Sequence, residues 1–136
     1  MENLDNLKNM FISQSLDFFK QMYENKEINK IFTAFYYTLS KKFLKLQPIK
    51  SIELTVKYTN KYYNKLMTFD EDFYNNLDLT DIFSDIKNED DVYYRNWFIK
   101  IKSIWFNIPT NERMDLIRLF QCMVMTSTKY FLISNK

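Results

Sequence analysis

The chain has no glycine and no histidine, and its 136 residues include only two prolines, one cysteine and one alanine. Each scarcity removes a class of solution. Primed hairpin turns and left-handed helix caps need positive φ, which glycine supplies most readily. Its absence weighs against a β-sandwich or barrel, whose many tight turns use it. Asparagine is the next most tolerant residue, and there are fourteen. Helices joined by short polar loops need far less of either.

The same absences narrow the chemistry. No Ser-His-Asp or Cys-His apparatus can be assembled from this chain without histidine. Phosphate-cradling loops of the Walker and Rossmann kinds need glycines, as does the sharp turn of an EF-hand loop. Cys122 stands alone, so the chain forms no intramolecular disulfide and no cysteine-based zinc site. Its position in an apolar helical run predicts a buried, inert thiol. No cofactor or metal site is expected, and the chain reads as a non-enzyme. Carboxylates are the one remaining route to chemistry. The triplets Asp70, Glu71, Asp72 and Glu89, Asp90, Asp91 are the candidates, but adjacent helical residues point in different directions and chelate poorly.

Long apolar runs are also missing. The longest uncharged stretches, 31–40 and 119–128, are about half the ~20 residues that a membrane span requires. Glu2, Asp5, Lys8 and Asp17 interrupt the start of the chain, where a signal peptide would carry an apolar core. A soluble intracellular protein is expected, in the cytoplasm or, for a virus, in the host cytoplasm or virion.

What is present is aromatic and aliphatic. Thirteen Phe, ten Tyr and two Trp bring the aromatic share to 18%, within an apolar share of 46%. That is ample for one hydrophobic core in a domain of this length. Lysine outnumbers arginine sixteen to three, and Asn, Ile, Phe, Tyr and Lys all have AT-rich codons. The composition is therefore that of an AT-biased genome; large DNA viruses and several parasites and bacteria have proteins of this kind.

Apolar spacing predicts an all-α fold, a single compact domain over 1–136 with about five to six helices in orthogonal or bundle-like packing. A first helix is expected over 3–23, with Leu7, Phe11, Phe18 and Met22 beside Ile12, Leu16, Phe19 and Tyr23. A second is expected from Glu27 to about Leu46, where Ile28, Ile31, Phe32, Phe35, Leu39 and Phe43 advance by three or four; Pro48 should end it. Over 51–67 the pattern fits a helix capped by Ser51, although Ile52, Leu54, Val56 and Tyr58 also alternate as in a strand. Residues 68–91 read as an acidic connection with short helices capped by Asp70 and Thr80. A further helix should start near Asp90 or Asp91 and stop at Pro109, burying Tyr94, Trp97, Phe98, Ile101, Ile104 and either Trp105 or Ile108. The last helix, from Thr110 or Asn111, is apolar around much of its girth, so the others should pack around it.

Net charge is only +2, but it is unevenly placed. Residues 41–65 carry +6 and residues 66–91 carry −8. The candidate basic patch is Lys41, Lys42, Lys45, Lys57, Lys61 and Lys65, with Lys50 in the same segment; the acidic patch is Asp70, Glu71, Asp72, Asp85, Glu89, Asp90 and Asp91. Such runs commonly serve only as solvated faces. Read functionally, they imply a protein partner or self-association through complementary charge. This makes the chain an interaction or assembly component, including a small viral structural or accessory protein. The alternative is a nucleic-acid-binding module in which the lysines of 41–65 meet phosphates and Tyr58, Tyr62 and Tyr63 stack on bases.

Overall fold

The computed structural model describes residues 3–29, 47–68, 70–77 and 89–135. Six α-helices and two short 3-10 turns account for nearly all of them: α1 (Leu4–Glu24), α2 (Pro48–Thr59), a 3-10 turn (Asn60–Tyr62), α3 (Tyr63–Leu66), α4 (Glu71–Asn75), α5 (Glu89–Ile104), a second 3-10 turn (Trp105–Asn107) and α6 (Thr110–Ser134). The described residues contain no strand. The helices pack against one another as a single all-α domain. The second helix expected from Glu27 is helical over residues 26–29, and its remainder lies outside the described residues, as do Thr80 and the short helix expected after it.

Helices α1 and α6 make the principal packing surface, with α2 laid against both. They run antiparallel. The end of α1 meets the start of α6 through Asn25 and Glu112 (3.4 Å), while Phe18, further back on α1, packs its ring 5.8 Å from Phe120. The main core unites Phe11, Phe18, Phe19 and Met22 of α1 with Ile28, Ile52, Ile101, Ile108, Leu116 and Met123. Leu66, Tyr74 and Ile117 anchor a smaller cluster where α3 and α4 dock on α6.

Local chemistry sets the helix starts. Asn3 caps α1 by accepting from the Asp5 amide at 2.7 Å, and Asp70 caps α4 by accepting from the Phe73 amide at 3.2 Å. Asn25, extended at ψ 127°, ends α1, and its side-chain oxygen accepts from the Glu27 and Ile28 amides at 3.0 and 3.1 Å. One residue therefore closes one helix and opens the next turn.

The helix ends show how a chain without glycine stops a helix. No described residue has positive φ, so the asparagines do not act as left-handed substitutes. They act through their amides instead. Asn29 donates to the Tyr23 carbonyl at 2.6 Å, Asn76 to Asp72 at 2.9 Å and Asn135 to Phe131 at 2.8 Å. These are carbonyls near helix C-termini, which a Schellman turn satisfies in other chains.

Several boundaries differ from expectation. Pro48 is the first residue of α2, where its fixed φ suits the helix and its missing N–H is not needed; the end of the helix expected before it lies outside the described residues. Ser51 consequently lies inside α2 rather than capping it, and its hydroxyl donates back to the Gln47 carbonyl at 3.1 Å. Thr55 and Thr59 repeat the pattern one turn on each, at 2.8 and 2.6 Å. Helix α5 ends at Ile104, short of Pro109, and tightens into the 3-10 turn. That change of pitch turns Ile108 fully inward and leaves Trp105 half-buried. Finally, α6 is not enclosed on all sides: Met125, Phe131 and Leu132 are exposed, whereas Arg113, Gln121, Thr126 and Ser127 are buried.

Candidate functional site

Two surfaces stand out, beside a polar junction that engages Glu71, Lys102 and Arg113. The junction joins α3 and α4 to α5 and α6. Arg113, on the first turns of α6, is only 9% exposed. Its Nη2 donates to Glu71 Oε1 at 2.5 Å and to Thr110 Oγ1 at 3.1 Å, and its Nη1 donates to the Ile108 carbonyl at 3.1 Å. The guanidinium carbon also lies 5.9 Å from the centre of the Phe106 ring. Gln121 donates to the carbonyls of Leu66 and Thr68 at 2.8 and 2.9 Å, closing the end of α3. The Tyr74 hydroxyl donates to the same Leu66 carbonyl.

The end of α4 is closed in the same way. Lys102 Nζ donates to the Tyr74 carbonyl at 2.9 Å and to the Asn75 carbonyl, and Trp105 Nε1 donates to Asn75 Oδ1 at 2.6 Å. A cation at a helix C-terminus is also favoured by the aligned peptide dipoles. Burial pushes the Tyr74 phenol up to about 12, with the hydrogen bond to Gln121 working against that shift. Burial also lowers the proton affinity of Lys102. Both shifts follow from desolvation, which penalises the charged form in each case. The groups holding them are backbone carbonyls at helix ends, so the junction is built for holding short helices in place.

The acidic patch is thus dispersed among different tasks. Asp70 is spent on a helix cap, Glu71 on Arg113, and Asp72 points into solvent. Glu89, Asp90 and Asp91 form the start of α5, as the sequence predicts, and Asp85 lies outside the described residues. Among the described residues no three carboxylate or thiol groups gather closely enough to hold a metal ion. Cys122 is half-buried rather than buried, since it falls on the flank of α6. Sequence reasoning missed Arg113, Lys102 and Gln121 as organising residues. The signal was there for two of them: Arg113 and Gln121 are polar residues set among apolar ones in the last helix.

The first surface is basic. Lys41, Lys42 and Lys45 lie outside the described residues, but Lys57, Lys61 and Lys65 are all exposed on α2, its 3-10 turn and α3, with Lys50 at the start of α2. The Lys57 ammonium lies 5.0 Å over the Tyr58 ring, Lys61 lies 5.4 Å over Tyr62, and Lys65 lies 5.9 Å over Phe73. The second surface is apolar, on the outer side of α6 towards its C-terminal end. Met125 and Leu132 are seven residues apart and therefore share a face; they are 50% and 61% exposed, with Phe131 beside them at 40%. Among the described residues no helix is long and apolar enough to cross a membrane. No family model matches the chain, and neither the curated proteins nor the solved structures contain a match.

Proposed function

We propose that this chain is a non-enzymatic assembly or adaptor component that engages protein through the outer face of α6. The observation that carries the reading is the alignment of Met125 and Leu132 on that face, with Cys122 on its flank. Scattered exposed apolar side chains are ordinary, but two on one helical face with a third beside them form a patch. Burying a side chain of this size is worth ~1.5–3 kcal/mol. These side chains are 40–61% exposed, so a partner covering the patch gains about half of that contribution from each. The second support comes from the polar junction, whose most buried cation and amide are committed to holding helices together. We take a small structural or accessory part of a virus as the setting, which the AT-biased composition permits but does not single out.

Size-exclusion chromatography with light scattering, at low and high salt, tests the reading directly. The expected result is a species heavier than the 16.8 kDa chain, or a crosslinked partner whose contacts map to Lys129 and its neighbours on α6. Met125→Glu with Leu132→Glu should abolish that association while leaving the helical spectrum unchanged. A chain that stays monomeric at every concentration, with no native crosslink on this face, refutes the proposal.

A further inference from the structure

We infer that Thr110 is a phosphorylation site whose phosphoryl group takes Arg113 away from Glu71 and so loosens α4. The site lies at the N-terminal end of α6, whereas the apolar patch lies towards its C-terminal end, and the inference does not depend on the assembly reading.

Three observations meet there. Thr110 is exposed and is the first residue of α6. Its hydroxyl oxygen accepts from Arg113 Nη2 at 3.1 Å, and among the described residues the hydroxyl proton has no acceptor, so it is available for transfer. The start of the helix is uncapped, because Pro109 has no side chain that accepts, and the first intrahelical bond runs from the Arg113 amide to the Pro109 carbonyl at 3.0 Å. The amides of Thr110, Asn111 and Glu112 therefore offer donors, and the positive end of the aligned peptide dipoles, to an anion. Lastly, Arg113 Nε is buried without an acceptor. Nε and Nη2 share one edge of the planar guanidinium, the edge that a carboxylate or phosphate spans with two oxygens. Glu71 fills only half of it, since its Oε1 bonds to Nη2 alone. An incomplete fork thus stands beside a hydroxyl that can carry an oxyanion to it.

In the modification, Thr110 Oγ1 attacks the γ-phosphorus of a nucleoside triphosphate held by a protein kinase. The new O–P bond forms as the bond to the β–γ bridging oxygen breaks, the nucleoside diphosphate leaves, and the hydroxyl proton passes to the carboxylate base of the kinase. The product carries about −1.5 to −2 charge and three acceptor oxygens. Two carboxylates oppose it. Glu112 is held towards Asn25 Nδ2 at 3.4 Å. Glu71 competes for the same guanidinium with a single charge, from a helix forty-two positions away, whereas Thr110 and Arg113 are neighbours three residues apart on one helical face. The stronger and nearer anion takes Arg113, and like-charge repulsion expels Glu71. Helix α4 then keeps its Asp70 cap and its bonds to Lys102 and Trp105, but loses its ion pair with α6.

The full chain carrying phosphothreonine installed at position 110 during synthesis, compared with the unmodified chain, tests the switch. An unconstrained phosphothreonine takes up its second proton near about pH 6. Held by Arg113 and the helix start, it should titrate near about pH 5 in phosphorus NMR, and Arg113→Met should return it towards about pH 6. Amide exchange over residues 71–76 should quicken about tenfold on phosphorylation, to the rate of unmodified Glu71→Ala. Glu71→Gln replaces that reference if Glu71→Ala does not fold. Phosphopeptide mass spectrometry of the chain expressed in eukaryotic cells, with Thr110→Val as control, reads the modification itself and is expected to find phosphate on Thr110. A phosphate that titrates near about pH 6 with Arg113 in place, unchanged exchange in α4, or no phosphate on Thr110 in the cells overturns the inference.

Discussion

The ion pair between Arg113 and Glu71 gives the sharpest test of the fold, because its two partners are unequally sheltered. The Arg113 side chain is 11% exposed and that of Glu71 is 31% exposed. Deleting one partner of a buried pair costs about 3–5 kcal/mol, because a charge is left buried and uncompensated. Glu71→Ala leaves the guanidinium with its bonds to Ile108 and Thr110 only, and its buried Nε has no acceptor. Those surviving bonds reduce the expected loss to about 2–3 kcal/mol. Arg113→Met places an apolar chain of similar length in an apolar surround and releases a carboxylate that water can reach. The expected loss is smaller, about 1.5–2 kcal/mol. The double variant has no stranded charge and should lose about 2 kcal/mol, well short of additivity. Urea unfolding monitored by circular dichroism reads all three. For a domain of this length about 1 kcal/mol corresponds to about 3–4 °C in Tm, so Glu71→Ala should melt about 8–10 °C lower. Losses that simply add in the double variant, or a Glu71→Ala chain within about 0.5 kcal/mol of the parent, would show that the pair carries no coupling and that α4 is held by its other contacts.

Three further outcomes follow from the same structure. Gln121→Leu keeps the volume but leaves the Leu66 carbonyl with the Tyr74 hydroxyl alone and the Thr68 carbonyl to water, and should lose about 1 kcal/mol in urea unfolding, with faster amide exchange confined to residues 63–68. Asn25→Ala removes the acceptor for the Glu27 and Ile28 amides and should lose about 1–2 kcal/mol, whereas Asn25→Ser, which keeps a capping oxygen without setting a second carboxylate against Glu112, should lose less. The Tyr74 phenol is raised in the folded state to about 12 from an ordinary 10.0. Its contribution is therefore complete below about pH 10 and falls away as pH rises towards about 12, because the unfolded chain releases that proton first. Lys102, lowered by burial, shifts stability in the opposite sense just below its ordinary range, so Tyr74→Phe is needed to isolate the phenol. That variant should flatten the alkaline limb of a Tm-against-pH curve, and an identical limb in both proteins would refute the assignment.

How far the sequence predicts this fold depends on which physics sets each feature. Helix identity follows from local periodicity, and so do the starts at Asn3 and Asp70, because a cap and its amide lie within three residues of each other. Ser51 is not the cap of α2 because Pro48 already opens its first turn: proline bars helix in the residue before it and favours the first turn of the helix after it. The choice between Trp105 and Ile108 depended on a change of pitch at the end of α5, which period counting at 3.6 residues per turn does not register. That the other helices should pack around α6 follows from its apolar content, which shows that burial is available. It does not show that enough neighbouring surface exists to supply it.

The charge blocks were visible in the sequence, but their use was not, since it is decided by contacts between distant residues. Glu71 and Arg113 are forty-two positions apart, and nothing local pairs them. The missing glycines tie these observations together. A helix that cannot end in a left-handed residue leaves carbonyls that only a side chain or water can satisfy. In this domain side chains do it: Asn29, Asn76 and Asn135 act within their own neighbourhoods, and Lys102, Tyr74 and Gln121 reach across from other turns or helices. Each cross-helix donor is at once a helix terminator and a tertiary contact. Stopping α3 and α4 is consequently the same event as docking them on α5 and α6.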